Sequence, residues 1–146
     1  MYTGEWREGQ RNGRGKIEFG NGSVFDGTFS NGIKNGPGKM TYPSGNFYEG
    51  MWVNDIKQGF GTMVWIKKKK KYIGNWHNNK QNGQGMQIWL ENRAEFKVFR
   101  NRYDGNWVDG RREGYGTFYF STGGKYEGYW HNNMKEGFGM QTEENG

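Results

Sequence analysis

The chain has 146 residues, 27 of them Gly and 18% aromatic, a net charge of +6, and a single Leu and a single Ala, Leu90 and Ala94. So little aliphatic material excludes a helical bundle, whose seam needs such residues, and by the composition rule places the chain near disorder. Without Cys there is no disulfide framework or thiolate chemistry, no apolar run is long enough to cross a bilayer, and a reducing, cytoplasmic setting with acidic partners is expected.

In chain order, the first predicted strand carries Tyr2, Gly4 and Trp6, two residues apart and therefore on one face. Glu8-Gly9 marks a turn, Gly13 and Gly15 lie on the returning strand, Phe19 follows, and Asn21-Gly22 marks a second turn. The series restarts five times, as Phe25-Gly27-Phe29, Tyr48-Gly50-Trp52, Tyr72-Gly74-Trp76, Tyr103-Gly105-Trp107 and Tyr126-Gly128-Trp130. In each copy a turn pair follows: Asn31-Gly32, Asn54-Asp55, Asn78-Asn79, Asp109-Gly110 and Asn132-Asn133. Then come Gly36/Gly38, Gly59/Gly61, Gly83/Gly85, Gly114/Gly116 and Gly137/Gly139, and a later aromatic at Tyr42, Trp65, Trp89 and Phe120, with Glu143 the exception. Eighteen of the 27 glycines fall in three fixed columns, which decides for a repeat and against disorder. Each unit reads as strand, six-residue turn, strand, short turn, and successive units as an antiparallel meander.

Rings of one strand are expected to lie over the glycines of its neighbours, because a missing Cβ admits a flat ring. Thr3, Glu5, Asp26, Thr28, Glu49, Asn75 and Asp104 take the opposite, wetted face. The expected fold is all-β: an elongated single-layer antiparallel meander of six hairpin repeats, twelve strands spanning roughly 55 Å.

Tyr-x-Gly-x-Trp, an Asn/Asp-Gly-like turn and Gly-x-Gly on this period resemble the MORN repeat (membrane occupation and recognition nexus). The resemblance covers nearly the whole chain, with repeats starting at 2, 25, 48, 72, 103 and 126 in one array over 1–146. Segment Asn46–Lys57 and the insertion before Tyr103 are most similar to the MORN proteins of ciliary radial spoke heads. The resemblance implies a non-enzymatic scaffold of the axoneme in a motile cilium or flagellum, with other spoke-head subunits as partners. Its alternative is a phospholipid-binding or membrane-tethering array. Self-association is compatible with both, nucleic acid is not favoured, and no cofactor is expected. Tyr2 and Gly146 both fall on repeat boundaries, so the chain is expected to be a slice of a longer array.

Two departures from the repeat are the candidate partner contacts. Lys67, Lys68, Lys69, Lys70 and Lys71 replace an Asn-Gly turn with a connection one residue longer. Such a run attracts anionic lipid, acidic protein tails or nucleic acid; the reading preferred is a solvated loop that discourages edge pairing. The insertion, 90–102, brings Phe96, Phe99, Arg100 and Arg102, either as a specific contact or as a longer hairpin loop packed on its own sheet. Arg11, Lys34, Lys57, Arg112 and Lys135 recur nine residues after the first aromatic, as a basic stripe along one edge that suits a long acidic partner. Catalytic, cofactor-binding and metal residues are assigned to none. The Gly-x-Gly pairs precede strand-like rather than helical segments, His77 and His131 share a turn-shoulder column without Cys, and Ser23, Ser30, Ser44 and Ser121 are turn residues.

Overall fold

Two kinds of turn alternate along the chain, and between them they fix the architecture. The computed structural model describes residues 1–90 and 101–143. The turn at the head of each repeat has two residues, both left-handed, as in Asn54 (φ 49°) and Asp55 (φ 68°) or Asn132 (φ 49°) and Asn133 (φ 68°). This is the primed geometry whose twist matches that of paired strands, and Asn, Asp and Gly occupy it with little strain. The six-residue turn expected from the sequence is thereby corrected to two, because strand pairing continues up to the turn on both sides.

The strands are β1 (Tyr2–Arg7), β2 (Gln10–Glu18), β3 (Val24–Ser30), β4 (Ile33–Thr41), β5 (Phe47–Val53) and β6 (Ile56–Trp65). They continue as β7 (Lys70–His77), β8 (Lys80–Trp89), β9 (Arg102–Val108), β10 (Arg111–Tyr119), β11 (Lys125–His131) and β12 (Met134–Thr142). All twelve lie in one sheet in chain order, each antiparallel to the next. The all-β meander expected from the sequence is what forms. The insertion does not break the ladder: Gly85 pairs with Gly105 across β8 and β9 as Gly61 pairs with Gly74 across β6 and β7.

The second turn closes with a bond from Gly22 N–H to the Phe19 carbonyl (3.0 Å), repeated from Gly45 to Tyr42 (2.9 Å) and from Gly123 to Phe120 (3.0 Å). In the lysine segment Lys69 takes the glycine's place, at φ 51°, with its N–H on the Ile66 carbonyl at 3.3 Å. The loop expected there is a turn of Ile66 to Lys69, after which Lys70 and Lys71 already pair with Trp65 and Val64 in the ladder.

The three glycine columns have three different jobs. In the third repeat, Gly59 adopts φ 90° in a bulge: pairing runs from Gly50↔Gly61 to Trp52↔Lys57, two steps on β5 against four on β6. Gly50 and Gly61 face each other so closely that a Cβ on Gly50 would collide with the Gly61 Cα. The Tyr48 ring lies over the space a Cβ on Gly61 would fill. The same relation joins Tyr72 to Gly85 and Tyr103 to Gly116. One sheet layer thus encloses Phe25, Tyr48, Tyr72 and Tyr103 completely, each at 0% exposure. The opposite face is wetted as expected, with Thr3, Glu5, Asp26, Glu49, Asn75 and Asp104 exposed, although Phe60 and Tyr115 also stand there in the open.

Gly74→Ala is expected to lower stability by about 2–4 kcal/mol, because its Cβ meets the Gly85 backbone, which cannot move aside. Gly20→Ala, with nothing near its Cβ, should change it by less than about 0.5 kcal/mol. Urea unfolding midpoints of the two variants check the contrast.

Candidate functional site

The tight turn and the bulge together decide what the aromatic face displays. The first-column ring of each repeat meets the second aromatic of its own repeat and that of the next, edge to face. Tyr48 touches Trp52 and Trp76, each at 5.2 Å between centroids; Tyr72 touches Trp76 at 5.2 Å and Trp107 at 5.3 Å; Tyr103 touches Trp107 and Trp130, both at 5.3 Å. The series runs without interruption from Trp6 to Trp130. This is the arrangement the aromatic quadrupole favours, and it ties each repeat to the next through side chains as well as strand pairing.

Hydrogen bonds lock the rings. The Tyr48 hydroxyl donates to the Met51 carbonyl (2.8 Å), Tyr72 to Asn75 (2.8 Å) and Tyr103 to Asn106 (2.9 Å). Indole Nε1 of Trp52, Trp76 and Trp107 donates to the carbonyls of Gly38, Gly61 and Gly85, each at 3.0 Å, and Trp130 to Gly116 at 3.2 Å. Every one of those indole acceptors belongs to the preceding repeat. Burial raises the Tyr48 and Tyr72 hydroxyls well above the usual phenol range and Tyr103 to about 12, so all three remain neutral donors at physiological pH.

The basic column follows the row of tight turns, each member two residues past its turn, with its charges over rings. Lys34 Nζ sits 4.8 Å from the Trp52 ring centre, 5.4 Å from Phe25 and 5.9 Å from Phe19. Lys57 Nζ lies 5.3 to 5.6 Å from Tyr42, Tyr48 and Trp76, and the Arg112 guanidinium 4.9 to 5.8 Å from Trp130, Trp89 and Tyr103. Arg11 and Lys135 each cover two rings in the same way. The stripe expected along one edge is thus drawn over the aromatic face, where its charges hold the rings by cation–π attraction. Burial holds the Lys34 ammonium below its ordinary pKa; neighbouring Asp55 opposes that shift, and Lys57 and Arg11 add to it. Counting back from a two-residue turn would have revealed the arrangement, since it sets Lys57 directly opposite Trp52.

The candidate contact residues do not form one patch. Lys67, Lys68 and Lys69 are exposed on the turn; Lys70 pairs with Trp65 and Trp89 and turns to the aromatic face, with Nζ 4.8 Å from the Trp65 ring. Lys71 pairs with Val64 and Ile88 and takes the other face. Arg102, also opposite Ile88, is on that second face, its guanidinium 4.1 Å from the Tyr119 ring. Phe96, Phe99 and Arg100 lie outside the described residues.

At the turn shoulders, His131 Nδ1 and Glu113 Oε1 are 2.6 Å apart, while Glu113 Oε2 accepts the Asn132 N–H at 3.1 Å. The bond to Glu113 raises the His131 pKa above 6.5, and the same bond, first among its causes, lowers Glu113 below 4.5. Among the described residues no three His, Cys, Asp or Glu cluster as a metal site would require.

The MORN repeat profile matches residues 2–24, 25–47, 48–68, 72–89, 103–125 and 126–146. No curated protein matches the chain.

Lys57→Met keeps the apolar stem and removes the charge, and should cost about 0.5–1 kcal/mol in urea unfolding. The His131 contribution is complete below pH 6.5 and fades as pH rises through its raised folded value. That of Glu113 is present above pH 4.5 and fades as pH falls through its lowered one. The pair is therefore strongest at mildly acidic pH, and Glu113→Gln should lower the His131 midpoint followed by its ring-proton NMR shifts.

Proposed function

The chain belongs to the MORN-repeat family, whose arrays serve as protein- or membrane-interaction modules, and we propose that it works as a non-enzymatic strut in the radial spoke head of a motile axoneme. The observation that carries the strut is the unbroken ring ladder. Bending the sheet between repeats would open edge-to-face contacts and break the indole bonds at Gly38, Gly61, Gly85 and Gly116. Stiffness along the array suits a spacer that holds partners at fixed separation. The spoke-head assignment is supported by the likeness of Asn46–Lys57, and of the insertion before Tyr103, to spoke-head MORN proteins.

A membrane role rests on Lys67, Lys68 and Lys69, which are exposed together on one turn. The basic column adds little to it, because those cations lie on rings. For a cytoskeletal scaffold, antibody staining should follow the axoneme of ciliated cells and survive detergent extraction, and anionic liposomes should not float the chain at physiological salt. Staining lost with detergent, together with flotation abolished when the three lysines become Gln, would transfer the role to membranes.

A further inference from the structure

The roofing rule has one break. Wherever a repeat supplies a cation nine residues after its first aromatic, that cation lies over its own first-column ring; the fourth repeat supplies Gln81. By the pattern of Lys34 and Lys57, the missing group would have roofed Trp65, Tyr72 and Trp107. The same repeat departs again at Gln87, which is 6% exposed where the first, second, third and fifth repeats place Ile17, Met40, Met63 and Phe118; the sixth also has a glutamine, Gln141, but an exposed one. The lysine turn, which closes the third repeat and leads into the fourth, is a third irregularity.

All three departures meet at one place. A cleft of about 360 Å³ opens on the aromatic face, walled by Trp65, Trp89 and Trp107, with both Gln81 and Gln87 in its lining. Lys68, Lys70 and Arg112 line it as well, and no carboxylate does among the described residues. Arg112 donates from one terminal nitrogen to the Asn133 carbonyl (2.7 Å), while its Nε is enclosed without an acceptor among the described residues. Lys70 is held below its ordinary pKa by burial first, then by the positive charges of Lys68 and Arg112. Lys70 and Arg112 thus lie over tryptophan with the exposed Lys68 beside them, and among the described residues no carboxylate in the cleft offsets them, an arrangement that a bound anion favours.

We propose that this cleft is a docking site for an acidic peptide segment of a partner protein, taking a carboxylate between Lys68, Lys70 and Arg112 and a neighbouring apolar side chain against the tryptophans. The chemistry on each wall supports it. The cations supply charge-assisted bonds to carboxylate, the indoles supply apolar area, and the two glutamine amides can meet peptide N–H and C=O groups. A membrane would need a raised basic plane, yet Lys70 and Arg112 lie down on rings. A single nucleic-acid strand would need successive bare rings, and in neighbouring repeats the rings are roofed. The site rests on the scaffold reading and names where one partner enters.

The test uses the full chain with ¹⁵N-labelled tryptophan and four probes: a fluorescein-labelled dodecapeptide alternating Glu and Phe, its Gln and Phe counterpart, phosphatidylserine vesicles, and a twelve-nucleotide oligo(dT). The Glu peptide should shift the indole signals of Trp65, Trp89 and Trp107, and lose at least about tenfold in affinity in Lys68→Gln/Lys70→Gln. The deciding variant is Gln81→Lys, which restores the repeat's own cation and fills the cleft. It should weaken the Glu peptide about tenfold although it adds positive charge, and the unchanged signals of Trp6 and Trp52, both away from residue 81, would show that the fold is kept. Equal or tighter binding by Gln81→Lys would reduce the effect to general surface attraction and overturn the site while leaving the scaffold reading intact. Equal binding of the Gln peptide would overturn the carboxylate. Shifts produced by vesicles or oligo(dT) and not by the Glu peptide would overturn the site, and the vesicle result would overturn the scaffold reading with it.

Discussion

The contact on which the whole sheet depends is a tyrosine or phenylalanine ring lying flat on a pair of facing glycines. Tyr48 over Gly61, with Gly50 facing Gly61, is the pattern, and it leaves no room for a side chain on either glycine. A sheet with one layer has no opposing sheet or helix to bury its face. Laying the rings along the surface, in space cleared of Cβ atoms, removes them from water without a second layer. The scarcity of Leu and Ala follows, since such a fold has no interlayer volume for aliphatic side chains to fill.

Once a ring lies flat, its edges and upper face determine what comes next. The edges take the indoles of two tryptophans, whose Nε1 groups reach back to carbonyls of the preceding repeat, so each unit is completed by the one that follows. The upper face takes a cation. Because that cation stands directly across the tight turn from a second-column aromatic, a two-residue connection sets the electrostatics of the surface as well as its register. Charges that look free in the sequence are partly withdrawn from partners.

A regular array offers the same surface at every step, so recognition has to come from its irregularities. Here they gather around the junction of the third and fourth repeats, where the lysine turn, Gln81 and Gln87 converge on one cleft. The regular repeats supply length and stiffness, and the irregular junction supplies chemical individuality. Such a division suits a scaffold, whose partners must be placed at defined positions along a rigid member.

The repeat, its period, the twelve-strand meander and the sharing of one face by rings and glycines were legible in the sequence, because each depends on local patterns: alternation, Asn-Gly turns and fixed columns. The turn length was not legible, since Asn, Asp and Gly mark a turn without saying how far pairing approaches it. From that followed the reading of Lys34, Lys57 and Arg112 as a stripe for an acidic partner, when each lies on rings. The lysine run read as one feature, yet strand alternation sends Lys70 and Lys71 to opposite faces once pairing begins at Lys70. Gln81 and Gln87 carried no signal of their own, being ordinary polar residues in a polar chain. Sequence by itself determined which residues repeat and hence the fold. Only the tertiary structure decided which charges lie on rings and where the covering fails, because the basic column's contacts join residues from 9 to 23 positions apart, within and between repeats, through a register that the turns and bulges set.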